Sequence, residues 1–174
     1  MRKSRTAFAA LLIAVLIATT PVLTACNGAH RPDSNGAQVL EGNVTGIVGT
    51  EYAAYWFNFT VNSLKTDSVY KDYAATKGNT LVIASITLTN TYGSPQQYGT
   101  FDWFVNDDSL SEALYPLNPF TSTMMPTDFT LYSQETVTFD VVIQYPANLA
   151  NPTFTYAEIN EKGETFSTFM IPIV

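Results

Sequence analysis

The chain has 174 residues, of which 13% are charged and 46% hydrophobic, with one cysteine and one histidine. This length suits one ordinary domain. Residues 26–174 hold 5 basic and 15 acidic side chains, a formal charge of −10. The acidic balance disfavours nucleic acid as a partner, because phosphate binding needs clustered lysine and arginine. One cysteine forms no internal disulfide, and one histidine excludes histidine-based metal sites.

Residues 1–25 have the order of a lipoprotein signal peptide. A basic start (MRKSR) precedes an apolar run of eleven residues from Phe8 to Ala18, which is too short to span a bilayer stably. The next segment, Leu23 to Cys26 (LTAC), resembles the lipobox of bacterial lipoproteins, in which the cysteine is lipidated and becomes the first mature residue. We therefore expect a lipid anchor on Cys26 and an extracytoplasmic protein exposed at the cell surface. The alternative is a plain secretory signal with an incidental cysteine.

A flexible tether is predicted for residues 26–38, the lipidated cysteine included. The segment from Asn27 to Gln38 is rich in Gly, Ala, Asn, Ser and Pro and has no hydrophobic periodicity. Twelve such residues span roughly 20 Å on average. The single histidine, His30, lies here without a second metal ligand nearby, so we interpret it as a solvated linker residue. Residues 39–174 then form the folded domain.

Three long segments of alternating polarity predict the heart of a β-sheet structure. They run from Tyr55 to Ser63, from Leu81 to Asn90 and from Thr136 to Tyr145. Shorter candidate strands are Val44 to Val48, Phe101 to Val105, Ala113 to Pro116, Phe129 to Tyr132, Thr153 to Ile159 and Thr165 to Ile173. The segment from Leu64 to Thr76 is interpreted as a long loop. Together these elements predict an all-β, immunoglobulin-like β-sandwich of seven to nine mostly antiparallel strands.

Several of these segments also resemble a known family. The resemblance rests on Trp56 to Ser63, on Asp72-Tyr73 and on Gly78 to Asn90, with later matches from Phe101 to Asp108 and from Glu135 to Ile143. They resemble a family of immunoglobulin-like domains of unknown function in Gram-positive lipoproteins, sometimes labelled telomeric repeat-binding factor-like. Members are similar in fold to a small secreted mycobacterial immunoprotective antigen. The resemblance implies the same sandwich and brings no catalytic residues.

An acidic segment is the first candidate site. Asp102, Asp107, Asp108 and Glu112 lie close together in sequence and could supply oxygen ligands to calcium. They lack the D-x-D-x-D-G order of a loop that wraps the ion, and the segment from Asn106 to Ser109 is also typical of a β-turn. A solvated turn is therefore the preferred interpretation, with calcium as the only cofactor considered.

Aromatic residues are the second candidate site. Trp103 shares the apolar side of its strand with Val105 and is predicted to be core. Trp56 instead falls on the same side as Asn58, Thr60 and Asn62. Four aromatic residues, Tyr52, Trp56, Tyr92 and Tyr98, are therefore the candidate recognition surface, and simple packing is the alternative.

Three functions remain open from the sequence. The preferred one is a non-catalytic interaction or binding module, anchored to the membrane through Cys26, with an unknown protein or glycan ligand. A carbohydrate-binding module is the alternative and requires exposed aromatic residues. A hydrolase that uses carboxylates alone is the third, and requires two acids to converge in a cleft. No catalytic residue is assigned, because residues 39–174 contain neither cysteine nor histidine.

Overall fold

The computed structural model describes residues 36–159 and 164–174, and these residues form an all-β structure. Apart from one 3-10 turn, Thr100–Asp102, the regular elements described are strands. In chain order they are β1 (Gln38–Val39), β2 (Gly42–Thr45), β3 (Glu51–Ala53), β4 (Asn58–Asp67), β5 (Val69–Tyr70), β6 (Tyr73–Ala74), β7 (Asn79–Thr89), β8 (Gln96–Gly99), β9 (Trp103–Asn106), β10 (Asp128–Leu131), β11 (Thr136–Pro146), β12 (Thr153–Ile159) and β13 (Thr165–Pro172).

Two larger sheets make the sandwich. The first has five strands in the order β1-β3-β4-β7-β11, and the second has four in the order β2-β13-β12-β9. Two short pairs, β8 with β10 and β5 with β6, complete the described strands. Pairing is antiparallel except for β1 with β3 and β2 with β13. The predicted immunoglobulin-like β-sandwich is confirmed, and its two larger sheets hold nine strands.

The core lies between the inner faces of these sheets. Phe59, Ile86 and Ile143 contribute from the first sheet, and all three are at most 1% exposed. Trp103 is also 1% exposed and stacks on Phe154 at 5.4 Å between ring centroids. The prediction that Trp103 belongs to the core is therefore confirmed. Alternation along β4, β7 and β11 places every second side chain in this layer.

Part of the outer face of the first sheet is covered. Alternation along β7 and β11 predicts that Ile83 and Val142 face solvent, yet they are 5% and 0% exposed. The reason is that the segment from Leu64 to Thr76 is not a loop, since β4 continues to Asp67 and β5 and β6 form a hairpin after it. The hairpin residue Tyr70 packs in a second small core with Leu81, Ile83, Met124 and Val142.

Other strand boundaries also differ from the predictions. The segment from Ala113 to Pro116 forms only an isolated bridge, between Leu114 and Val105. Two strands in polar sequence were not predicted, β3 and β8. The predicted signal peptide, most of the tether, His30 and Cys26 lie outside the described residues. The described part of the chain contains no helix that is long and apolar enough to cross a membrane.

Candidate functional site

A tight turn between β3 and β4 projects aromatic residues at one end of the sandwich. Ala53 pairs with Asn58, and the amide of Ala54 donates to the carbonyl of Phe57 at 2.9 Å, so Tyr55 and Trp56 form the tip. The predicted strand therefore begins three residues late, at Asn58. Trp56 is 37% exposed, and its exposure follows from its place in the turn. Phe57 turns back into the core, where it is 3% exposed.

Three of the four residues predicted as a recognition surface meet at this turn. The ring of Trp56 contacts Tyr92 edge to face at 5.2 Å between centroids. The hydroxyl of Tyr98 donates to the backbone carbonyl of Trp56 at 3.0 Å. Tyr98 is itself 7% exposed, and burial raises the pKa of its hydroxyl. Tyr98 therefore supports the turn, whereas Trp56 presents aromatic surface to solvent.

Tyr52 was wrongly included in this surface. It is 1% exposed and its ring packs against Phe169 at 4.8 Å between centroids. Its hydroxyl oxygen accepts a hydrogen bond from the amide of Ile47 at 3.0 Å. Tyr52 lies on β3 and faces the core there, so its role is structural.

A cleft of about 210 Å³ opens beside the turn. This volume is below the 300–1,000 Å³ of typical sites for drug-sized ligands, so the cleft suits one small group. Its described lining residues come from the turn, from β8 and the 3-10 turn, and from the end of β12. They are Tyr55, Trp56, Phe57, Gln97, Tyr98, Asp102, Tyr156, Ala157, Glu158 and Ile159.

Tyr156 places a phenol group at the inner wall of the cleft. The residue is 4% exposed, and its ring packs against Phe57 and Trp103. Burial raises the pKa of its hydroxyl well above the usual value, and the charges of Glu158 and Asp102 raise it further. Within the described ranges this hydroxyl makes no hydrogen bond with the protein.

Asp102, at the end of the 3-10 turn, also lines the cleft. The residue as a whole is exposed, but the cleft wall shields its carboxyl group from part of the solvent, and this desolvation raises its pKa. No side chain or amide of the described residues donates a hydrogen bond to this carboxylate. Asp102 was one of four possible calcium ligands in the sequence, and in the structure it lines the cleft with the residues of the aromatic turn.

Glu158 is a second acidic group in the cleft and was not predicted. It is 3% exposed and accepts hydrogen bonds from the amide of Tyr55 and the hydroxyl of Ser167. These bonds fix its carboxylate against the turn. The sequence carried a signal for it, because Phe154, Tyr156 and Glu158 alternate along β12 and an acid at an inward position is unusual.

The other acidic residues do not join Asp102. Both carboxylate oxygens of Asp107 are used within the fold, accepting hydrogen bonds from Ser109 and from the amide of Asn151 at 2.8 Å. These bonds lower the pKa of Asp107, that of the Ser109 hydroxyl most of all. Asp108 and Glu112 are exposed. In residues 36–159 and 164–174 no three metal-ligating side chains converge, and Asp107, at 6% exposed, is not the solvated side chain that the turn interpretation expected.

Comparison with known proteins identifies the fold without the activity. No protein-family model matches the chain, and no curated protein sequence matches it. Similar solved structures include ycdA of Bacillus subtilis, described as a candidate lipoprotein, with 12% identity and a TM-score of 0.54 over 70% of this chain. The chain spans only 38% of the length of ycdA.

Two further structures match along nearly their whole length. The yjhA protein of Bacillus subtilis has 18% identity and a TM-score of 0.50, covering 76% of this chain and 99% of its own. An uncharacterized β-sandwich protein of Clostridium difficile has 10% identity and a TM-score of 0.50, covering 77% and 95%. The chain thus shares its fold with these three proteins, one of which is described as an uncharacterized β-sandwich protein, and none of the three names is that of an enzyme.

Proposed function

We propose that the protein is a membrane-anchored extracytoplasmic lipoprotein whose sandwich is a non-catalytic binding module of the lipoprotein family that the sequence resembles. The cleft beside Trp56 is its binding site. The observation that carries the proposal is Tyr156, which lines the cleft, is 4% exposed and has a hydroxyl that makes no hydrogen bond within the described residues. A buried polar group without a partner costs about 1–3 kcal/mol. A ligand or ordered water in the cleft would remove that cost.

The anchor rests on the lipobox at Leu23 to Cys26 and on the fold shared with ycdA. Replacing Cys26 by Ala should release the protein from the membrane, because no other cysteine can carry the lipid. Fractionation of cells producing the wild-type chain or Cys26→Ala measures this. Equal membrane retention of the two proteins would refute the lipid anchor.

Binding at the cleft is tested by thermal unfolding of the full chain with calcium chloride and with cell-wall and dietary glycans. A ligand that binds only the folded state at 100 times its Kd adds about 2.7 kcal/mol, or roughly 5–10 °C in Tm. Trp56→Ala should abolish such a shift. The matched control is Tyr132→Ala, which removes an aromatic residue that is 63% exposed and does not line the cleft. A ligand shift that survives Trp56→Ala would place the site elsewhere.

A carbohydrate-binding module is the second candidate, and the exposed ring of Trp56 favours it. Flat aromatic rings stack on sugars, and Asp102 and Tyr156 offer polar groups beside this one. The glycan arm of the same experiment tests this function. The absence of a Trp56-dependent shift with every glycan would refute it.

One observation supports a hydrolase that uses only carboxylates: Asp102 and Glu158 line the same cleft. We favour binding because both oxygens of Glu158 accept hydrogen bonds from the protein, which commits the carboxylate to holding the turn. Analysis of the glycans for cleavage products after incubation distinguishes the two. Products lost in Asp102→Asn would establish the hydrolase instead.

A further inference from the structure

We propose that the cleft binds a primary ammonium group, of the kind carried by a lysine side chain or an amino sugar. This inference rests on the proposed binding function and names the chemistry of the ligand. It follows from three features of the cleft: its charge, its unpaired hydrogen-bonding groups and its aromatic rim.

The described lining of the cleft contains acidic residues and no basic ones. Among its described lining residues are two carboxylates, Asp102 and Glu158, and no lysine, arginine or histidine. Asp102 lines the cleft with its carboxylate accepting no hydrogen bond from the described residues, and a ligand bound over it would desolvate this charge. A desolvated charge is costly until an opposite charge compensates it. An ammonium group supplies that charge, whereas a neutral ligand would desolvate Asp102 further.

The hydroxyl of Tyr156 provides a second, independent observation. Tyr156 lines the same cleft as Asp102 and Glu158 and is 4% exposed, and its hydroxyl makes no hydrogen bond in the described part of the chain. Its raised pKa keeps it protonated at neutral pH, and its oxygen retains lone pairs that accept from an N–H donor. A primary ammonium has three such donors, so it can bond Asp102 and Tyr156 together. A quaternary ammonium has none.

The aromatic rim favours a cation as well. Trp56 borders the cleft with part of its ring exposed, and the rings of Tyr55 and Tyr92 pack edge to face against it and hold it in place. A cation over an aromatic face gains about 0.5–2 kcal/mol, and tryptophan is the best partner. The cleft volume of about 210 Å³ fits one sugar ring or the end of one side chain rather than an extended ligand.

The test compares matched pairs of probes that differ in the ammonium group. Isothermal titration calorimetry of the full chain at about pH 6.5, where amines are protonated, would compare the binding of D-glucosamine with that of D-glucose. A second pair is N-acetyl-lysinamide against its Nε-acetylated form. We expect at least one amine to bind ten times or more tightly than its neutral partner. Which pair responds distinguishes an amino sugar from a lysine side chain.

Two variants with the same change of net charge locate the effect. Asp102→Asn should weaken binding of the amine about tenfold or more, whereas Asp108→Asn, at an exposed acid outside the cleft lining, should change it less than twofold. Thermal unfolding verifies that both variants fold. Equal loss in the two variants would overturn the proposal, because binding would then depend on net charge alone.

The remaining outcomes separate this inference from the proposed function. Equal binding of glucose and glucosamine, lost in Trp56→Ala, would overturn the ammonium proposal and leave the binding module standing. Absence of binding by all four probes would overturn the ammonium proposal, and the binding module would fall with it only if the glycan and calcium panel were also silent.

Discussion

Two aspartates five residues apart show how strongly local contacts decide the state of a side chain. Asp107 accepts hydrogen bonds from Ser109 and Asn151, and these lower the pKa of its carboxyl group. Asp102 receives none from the described residues, and desolvation in the cleft raises its pKa. Asp107 therefore stabilises the fold, whereas Asp102 retains a cost that a ligand can relieve. In sequence the two residues formed one candidate calcium site.

Their pH dependence should have opposite signs. Asp107→Asn should lower Tm at pH 7, and the deficit should shrink as pH falls below 3.8 through the lowered pKa of Asp107, since the wild-type carboxylate is then protonated. Asp102→Asn should raise stability at pH 7 by less than about 1 kcal/mol, because the residue stays in contact with water. That gain should vanish below pH 3.8, where Asp102 is protonated in both folded and unfolded chains. Thermal unfolding from pH 3 to 7 measures both, and a gain for Asp107→Asn at pH 7 would contradict the account.

At the scale of elements, hydrophobic alternation predicts the long strands well and the turns poorly. β7 and β11 follow their predicted segments closely, because period-two burial is strong over eleven residues. The β3–β4 turn was missed because Tyr55 and Phe57 continue the alternation through it. The sequence therefore predicted an exposed Trp56 on the outer face of a strand, whereas its exposure comes from its place in a turn. Tyr156 and Glu158 line the cleft because β12 pairs with β9 and β13. The sequence does not show this pairing.

The β5–β6 hairpin should be a measurable source of stability. The hydroxyl of Tyr70 donates to the carboxylate of Asp140 at 2.7 Å and also contacts the Thr123 hydroxyl at 3.0 Å. Tyr70→Phe should therefore cost about 1.5–3 kcal/mol, as expected for a hydrogen bond to a charged group. The control is Tyr73→Phe, whose hydroxyl donates to the neutral amide oxygen of Gln144 at 3.2 Å and should cost about 1 kcal/mol or less. Chemical denaturation measures both, and equal costs would contradict the assignment.

The whole molecule combines an acidic chain, a predicted lipid anchor and a cleft. The cleft forms where the β3–β4 turn meets the end of β12. The formal charge of −10 on residues 26–174 favours solubility and attracts cations over distances set by ionic strength. The cleft concentrates two of these acids beside an exposed tryptophan. A tether of about 20 Å would hold such a site away from the membrane surface.

The central claim is that ligand binds beside Trp56, and the two tryptophans of the chain allow a direct test. Indole N–H resonances of the full chain, assigned with Trp56→Phe, would be followed by NMR during titration with D-glucosamine and N-acetyl-lysinamide. We predict a saturable shift of the Trp56 signal and a much smaller one for Trp103, which is 1% exposed in the core. A Trp56 signal that stays fixed while another part of the spectrum titrates would contradict the claim.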